Sequence, residues 1–359
     1  MTKKLWFQVG VAILLALVII RMIVEVQAIF NPFFVILRTI FIPLLLGGVL
    51  FYLARPLVKW IEKKGMPRWG SISLVLLLLL ALLSGFSSLV GPMLTKQIND
   101  LVDNGPELVE DIENMTDYLL QQRDRLPDSM QQSIQDAIGR ANEFAVSGGT
   151  ILITFFQGLF QGIFMLVLVP FFLIYLLKDH EKFAPFVAKF FKGDKKTWIR
   201  KTLADIDETL RTYIQGQLLV SFLVGIMLLI GYLIIGLRYS LLLALFGMLT
   251  NVIPFLGPYL AVIPAMIIAF TQEPIMALWV AIIMLVAQQI ESNLITPNVM
   301  GKSLDIHPLT VITIILSAGS LAGLWGIILA IPVYAVIKTI LSNIYAHRGE
   351  IKDTANKDV

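Results

Sequence analysis

The chain has 359 residues, of which 57% are hydrophobic and 15% charged, and its mean hydropathy is +0.82. That balance excludes an ordinary soluble domain and fits an integral membrane protein whose apolar runs reach the ~20 residues of a helical crossing. A net charge of +3 does not describe a nucleic-acid surface, and the absence of cysteine excludes disulfides, thiolate nucleophiles and thiolate metal sites.

At the N-terminus, Lys3 and Lys4 precede the apolar run Leu5 to Ile20, and Arg21 follows without a small-residue cleavage site. We therefore expect an uncleaved first span over roughly 5–28. Further apolar runs cover 33–53, 71–92, 149–177, 214–236, 239–270, 275–295 and 308–342, with glycine or proline breaks inside 239–270 and 308–342. The expected fold is an all-α integral membrane protein of about eight hydrophobic segments, two of them broken or re-entrant, with an extracellular helical insertion.

Lysine and arginine set the expected orientation. Arg55, Lys59, Lys63, Lys64 and Arg68 lie between the second and third spans. The 178–211 connection carries Lys178, Lys182, Lys189, Lys192, Lys195, Lys196, Arg200, Lys201 and Arg211, and the tail adds Lys338, Arg348, Lys352 and Lys357. By the positive-inside rule all three regions face the cytoplasm, as do both termini.

The domain expectation follows: N-terminal spans at 1–92, an acidic helical insertion at 93–147, a span at 148–177, an amphipathic linker at 178–213, a transport core at 214–342 and a polar tail at 343–359. The insertion holds eleven acids against four bases. Ile98, Leu101, Val102, Leu108, Ile112, Met115 and Leu119 recur in it at helical spacing. It reads as a solvated acidic face on packing helices, or as a cation-attracting or partner-docking cap. In the linker, Ile199, Leu203, Ile206, Leu210 and Tyr213 form an apolar stripe that lies on the inner leaflet or packs against a neighbouring subunit.

The polar and broken segments carry the chemistry. Tyr213-Ile214-Gln215-Gly216-Gln217 opens a span with two amides around a glycine. These amides either hydrogen-bond across helices or line a path. Asn251-Val252-Ile253-Pro254-Phe255-Leu256-Gly257-Pro258 cannot stay a regular helix, because proline removes donors and clashes with the preceding turn. Broken backbone at membrane depth is tolerated only inside protein or beside a cavity, and transporters use such breaks to hold ions and polar groups. A kinked helix packed by its neighbours is the alternative. A second break falls at Ser317 to Gly326, giving two discontinuous elements on either side of the 275–295 span, as in transporters with paired hairpins.

Near the end of that span, Gln288, Gln289, Glu291 and Asn293 crowd an otherwise lipid-soluble segment before Pro297. Gln288 and Glu291 share one helical face, and Gln289 and Asn293 a neighbouring one. Glu291 either coordinates a solute or cation, with proton exchange, or reaches the headgroups and pairs with Lys302. His307, before Pro308, reads as a helix N-terminal residue or as a proton sensor. The expected substrate or ion path comprises Gln217, Asn251, Pro254, Gly257, Pro258, Gln289, Glu291, Asn293 and Pro297.

Several pieces together resemble the autoinducer-2 exporter-like permeases of bacteria: Pro170 through Asp179, Tyr213 through Gln217, Ile253 through Pro258, Gln289 through Pro297 continuing to Met300-Gly301-Lys302, and Gly323-Leu324-Trp325-Gly326 followed by Pro332. The resemblance spans nearly the whole chain. It implies a multi-pass transporter of the bacterial plasma membrane, a homo-oligomer (a pentamer), and export of autoinducer-2 or sodium or lithium/proton antiport. No GxxxxGK[ST], no HExxH and only scattered histidines (His180, His307, His347) occur, so neither an enzyme nor a cofactor is expected. The expected partners are a small polar solute or a monovalent cation, and the lipid bilayer. A passive channel, with the acidic cap as a cation funnel, is the lesser alternative to a secondary transporter.

Overall fold

The computed structural model describes residues 5–104, 168–300 and 306–357, all of them in helices and short turns. Most of the insertion and the start of the following span lie outside the described residues. The helices are α1 (Leu5–Lys63), α2 (Arg68–Asp103), α3 (Leu168–Ala188), α4 (Asp194–Ile234), α5 (Ser240–Thr250), α6 (Leu256–Gln272), α7 (Pro274–Ile290), α8 (Thr296–Met300) and α9 (Pro308–Lys357), with a π-helical segment, Glu291–Ile295, joining α7 to α8. The all-α membrane class is thus the observed one. Thr39–Lys63, Arg68–Asp103, Asp194–Ile234, Pro274–Met300 and Pro308–Ala346 are long and apolar enough to cross a bilayer.

The first two apolar runs, expected as separate spans, lie on one helix without a turn between them. Pro32, Pro43 and Pro56 all sit inside α1. Proline deletes a single donor, and in an apolar medium the remaining backbone groups have no better partner than their own helix. The chain then reverses at Gly65, whose φ of +93° suits glycine, and Pro67 leads into α2. Helix α2 continues through Asp103, beyond the expected start of the insertion. There Leu101 is buried in the main core and Leu94 and Ile98 pack against it, while Val102 of the stripe stays exposed.

Helix α4 is the hub, touching α1, α3, α5, α7, α8 and α9. Lipid tails are as apolar as leucine, so small residues that let helices come close matter more here than apolar area. A Cβ on Gly225 would lie 2.6 Å from Met248 Cβ of α5, and one on Gly216 2.9 Å from Met300 Cγ of α8. Among the described residues, three apolar clusters sit around α4. The largest joins α4, α5, α6 and α7, the second α1, α2 and α3, and the third Tyr213, Ile253, Val311, Ile315, Ala330 and Ile331.

The amphipathic start of α4 is covered by its own chain. Asp207 pairs with Arg55 at 2.7 Å and accepts from Tyr52 at 3.2 Å, while Asp205 accepts from Asn343 of α9 at 2.9 Å. Thr209 and Thr339 hydroxyls meet at 3.2 Å. Of the stripe itself, Tyr213 is buried and Leu210 packs beside the second cluster, while Ile199, Leu203 and Ile206 stay half-buried.

Both broken segments are helical hairpins. At the first, Gln272 at the end of α6 returns to the start of α5: its Oε1 accepts from Arg238 N at 2.9 Å and its Nε2 donates to Gly236 O at 3.0 Å. The two ends of the hairpin are side by side and its tip, 251–255, is at the far end. At the second, Ala322 and Gly323 leave helical geometry, with Gly323 at φ +58°. Gly319 then faces Ile327, and Gly326 abuts the Ala318 carbonyl so closely that no Cβ fits. Two residues eight apart in sequence can touch this way only if the chain has turned back. The arms of α9 are 308–321 and 324–357.

Candidate functional site

The site forms where the tip of the first hairpin meets α4 and the π-helical segment. Helix α5 ends at Thr250, and the chain turns through Asn251–Phe255 before α6 starts. Phe255 sits at φ +64°, a strained value for a residue with a side chain. Gly257 lies against Thr250 O and Asn251 Cα, with no room for a Cβ, which is what lets the tip close. Pro254 cannot donate, but its carbonyl accepts from Leu256 N at 2.8 Å.

Asn251 is 2% exposed. Its main-chain carbonyl accepts from Gln217 Nε2 at 2.7 Å, so an amide of α4 satisfies a group freed by the break. The Asn251 Nδ2 is buried with no hydrogen-bond partner of normal geometry. The same side chain lies close enough to interact with the half-buried carboxyl of Glu291. Gln288 Nε2 donates to Glu291 Oε2 at 2.8 Å, the expected three-residue pairing.

Glu291 opens the π-helical turn, a feature that recurs at functional sites because it re-aims side chains out of the α-helical register. Gln289 and Asn293 also pair as spaced, Asn293 Nδ2 donating to Gln289 Oε1 at 2.8 Å. That pair and Pro297 lie on the exposed side of the segment.

The structure therefore brings together Gln217, Asn251, Gly257, Pro258 and Glu291, with Pro254 half-buried at the rim, and separates Gln289, Asn293 and Pro297 from them. The pairing of Glu291 with Lys302 falls outside the described residues. Two residues join the group that sequence reasoning missed or set aside. Gln288 belongs to the polar run read from the sequence but not to the expected path. Ser221 lies one turn along α4 from Gln217, 2% exposed, with its hydroxyl unpaired; a hydroxyl four residues from a buried amide was the available signal. Gln215 points elsewhere, donating to Tyr52 O of α1 at 2.6 Å. His307 behaves as a helix N-terminal residue, its Nδ1 accepting from Leu309 N at 3.2 Å.

Chemically the arrangement offers one carboxyl, several amides and an unpaired hydroxyl in an otherwise apolar interior. Polar side chains at membrane depth are costly and mark solute paths when they are not simply cross-helix bonds. Among the described residues no three His, Asp or Glu side chains come together in a metal-binding group.

The second hairpin meets the first at this site. Ile253 of the first tip packs with Val311 and Ile315 on one arm of α9, Ala330 and Ile331 on the other, and Tyr213 of α4. A bundle in which two helical hairpins converge on buried polar groups beside a long central helix belongs to the class of multi-span membrane permeases. Residues 11–346 match the family described as "AI-2E family transporter", and the chain belongs to that family. It is 37% identical to YueF of Bacillus subtilis, over 92% of this chain and 91% of that one. It is 32% identical to YrrI of the same organism, over 96% and 97%, and both relatives are named, provisionally, as transport proteins. The similarly provisional permease PerM of Escherichia coli is 28% identical over 83% of this chain and 86% of its own.

Proposed function

We propose that this permease-like transporter is a secondary transporter that moves a small polar solute of the autoinducer-2 kind across the bacterial plasma membrane, with its C-terminal tail cytoplasmic. The expected cytoplasmic N-terminus is set aside, because α1 runs from Leu5 to Lys63 without a turn. Gln217, Asn251, Pro254, Gly257, Pro258 and Glu291 form the inner part of its path, and Gln289, Asn293 and Pro297 the outer part. The observation that carries this reading is Asn251, buried at a helical break with its side-chain amide beside the carboxyl of Glu291. Polar groups in an apolar interior are costly to leave short of hydrogen bonds, and a hydroxylated solute or its water would supply more of them. The broken tip supplies carbonyls, the amides supply donors, and Glu291 supplies the only carboxyl in the group.

That carboxyl also supports a second reading, a sodium or lithium/proton antiporter, in which a cation and a proton compete for Glu291. The family resemblance extends either reading to a homo-oligomer. The test is a proteoliposome assay that compares autoinducer-2, sodium and lithium under an imposed pH gradient. Saturable autoinducer-2 flux without cation-dependent proton release supports the exporter, the converse supports the antiporter, and no flux of any of them refutes both.

A further inference from the structure

Beyond α3's apolar stretch the chain changes character. Between 182 and 201 it carries seven bases, Lys182, Lys189, Lys192, Lys195, Lys196, Arg200 and Lys201, against the single acid Asp194. Among them stand large aromatic side chains that the fold does not cover. Phe183 is 60% exposed, Phe186 62% and Phe190 74%. Phe183 and Phe186 are three apart on α3, and Phe190, in the turn just beyond it, contacts Phe186 edge to face with centroids 5.6 Å apart. Lys189, Lys192, Lys195 and Lys196 are exposed, and none forms an ion pair among the described residues. Lys182 does, with Asp179 at 2.6 Å.

The same end of the bundle shows where the bilayer edge falls. Trp60 and Trp69 are each 57% exposed, with Lys64 Nζ 3.6 Å from the Trp60 ring centroid and Lys178 Nζ 5.0 Å from that of Trp69. Exposed indoles with lysines beside them are the pattern of a membrane–water boundary. Arg68 ties this level to α3 by its 2.7 Å pair with Glu181, immediately before the phenylalanine–lysine segment. The segment is thus continuous with the boundary.

We infer that the end of α3 and the turn into α4 form a docking surface for anionic phospholipid headgroups, the phenylalanines seated in the acyl boundary and Lys189, Lys192, Lys195 and Lys196 on the phosphates. Charge decides between occupants. A zwitterionic lipid or an apolar protein surface would satisfy the rings but leave at least four adjacent ammonium groups repelling one another. Anionic headgroups satisfy both, and each lysine close to such a surface strengthens the attraction by about fivefold. Flexible lysine stems also let the ammonium reach the phosphate plane while their methylenes lie along the rings.

The test uses the full chain in bilayers of phosphatidylcholine doped with brominated phosphatidylglycerol or brominated phosphatidylcholine, reading quenching of tryptophan fluorescence. The expected result is several-fold stronger quenching by the anionic lipid. That preference should fall toward parity when salt is raised to 1 M, which shortens the screening length to about 3 Å. It should also fall toward parity in a variant with Lys189, Lys192, Lys195 and Lys196 all changed to Gln. The salt arm needs no variant, so the test stands even if that variant folds poorly. Equal quenching by the two lipids, or a preference unchanged by salt, overturns the inference. So does a set of Phe183→Ser, Phe186→Ser and Phe190→Ser changes that alters the number of subunits while leaving lipid preference intact, since the face would then belong to a second copy of the chain.

Discussion

Gln217 of α4 holds the main-chain carbonyl of Asn251 at 2.7 Å, across 34 residues of sequence and in a site closed to water. One side-chain amide thus fastens the tip of a helical hairpin to the central helix. Changing Gln217 to Leu keeps the volume roughly constant but strips the carbonyl of its donor. The expected cost is about 1–3 kcal/mol, the desolvation penalty of an unmet buried group. A lower melting temperature for Q217L than for wild type in the same micelles is the measurement, and an unchanged one would mean the tip is held by something else. Gln217→Glu, which lacks the donor when ionised, should behave at least as badly.

Gly257 gives a sharper steric test. A methyl there would overlap Thr250 O and Asn251 Cα, both main-chain atoms that cannot rotate aside. Gly257→Ala must open the hairpin tip, at a cost of about 1–3 kcal/mol or more. It should reduce both stability and flux. Gly48→Ala serves as the control, because nothing lies within 4 Å of its added carbon. In the middle of a helix that change should be neutral or stabilise by about 0.5–1 kcal/mol. Equal effects of the two substitutions would remove the steric argument.

Distance measurement checks the reversal at Ala322 and Gly323. The chain has no cysteine, so spin labels on Leu309→Cys and Ile337→Cys report only those positions. Both side chains are well exposed, 66% and 49%. A straight helix would separate them by ~42 Å at 1.5 Å per residue. Packed arms of a hairpin, with axes about 8–10 Å apart, bring the labels to roughly 20 Å or less. A long distance would restore the kinked crossing.

Side-chain pairing was legible in the sequence where helical spacing governs it: Gln288 with Glu291, and Gln289 with Asn293, both bond as their intervals predict. The existence of both breaks was legible too, since Pro254, Gly257 and Pro258 cannot stay helical together. Whether each break turned the chain back was not legible. That depends on tertiary contacts such as Gln272 with Gly236, and on the close approach of Ala318 to Gly326. The π-helical turn left no residue-type signature, because a shift from i+4 to i+5 bonding suits Glu291-Ser292-Asn293-Leu294-Ile295 as well as an α-helix does. The separate runs expected at 5–28 and 33–53 misled in the opposite sense, since α1 continues through Pro32 with only one donor lost. Exposure of Gln289 and Asn293 was also invisible, since adjacent faces of one helix look alike in sequence and only neighbours distinguish them.

Acid should weaken the end of α3 beyond the apolar stretch. Burial holds the His180 imidazole below its ordinary value of 6.5, reinforced by Arg55 and Arg68 and opposed by Glu181. Glu181 is itself held low by its hydrogen bond to Arg68, and Asp179 by Lys182. In each case the unfolded chain binds a proton at a higher pH than the folded one, so stability rises with pH across the interval between the two values. For His180 the contribution is complete above pH 6.5 and is lost as pH falls through the lower folded value. For the carboxylates the loss comes further into acid. Melting temperature should therefore decline below pH 6.5, and His180→Gln should flatten the first part of that decline while leaving the second. An identical pH profile in the variant would place the titrating group elsewhere.

Glu291 separates the two transport readings. Its carboxyl receives Gln288 at 2.8 Å and faces the Asn251 side chain. Glu291→Gln keeps the shape and an accepting oxygen for Gln288, but removes the charge and the exchangeable proton. A cation that exchanges with a proton at this position loses both the countercharge and the competition, so coupled sodium or lithium flux should vanish. A neutral hydroxylated solute loses only the strength of a charge-assisted hydrogen bond. About 1.4 kcal/mol of that kind lowers the rate roughly tenfold without abolishing it. The measurement is cargo uptake by proteoliposomes of E291Q, with a pH indicator inside to follow proton release. Loss of cation exchange alone identifies the antiporter, a partial loss of solute flux identifies the exporter, and wild-type rates for every cargo would remove Glu291 from the path.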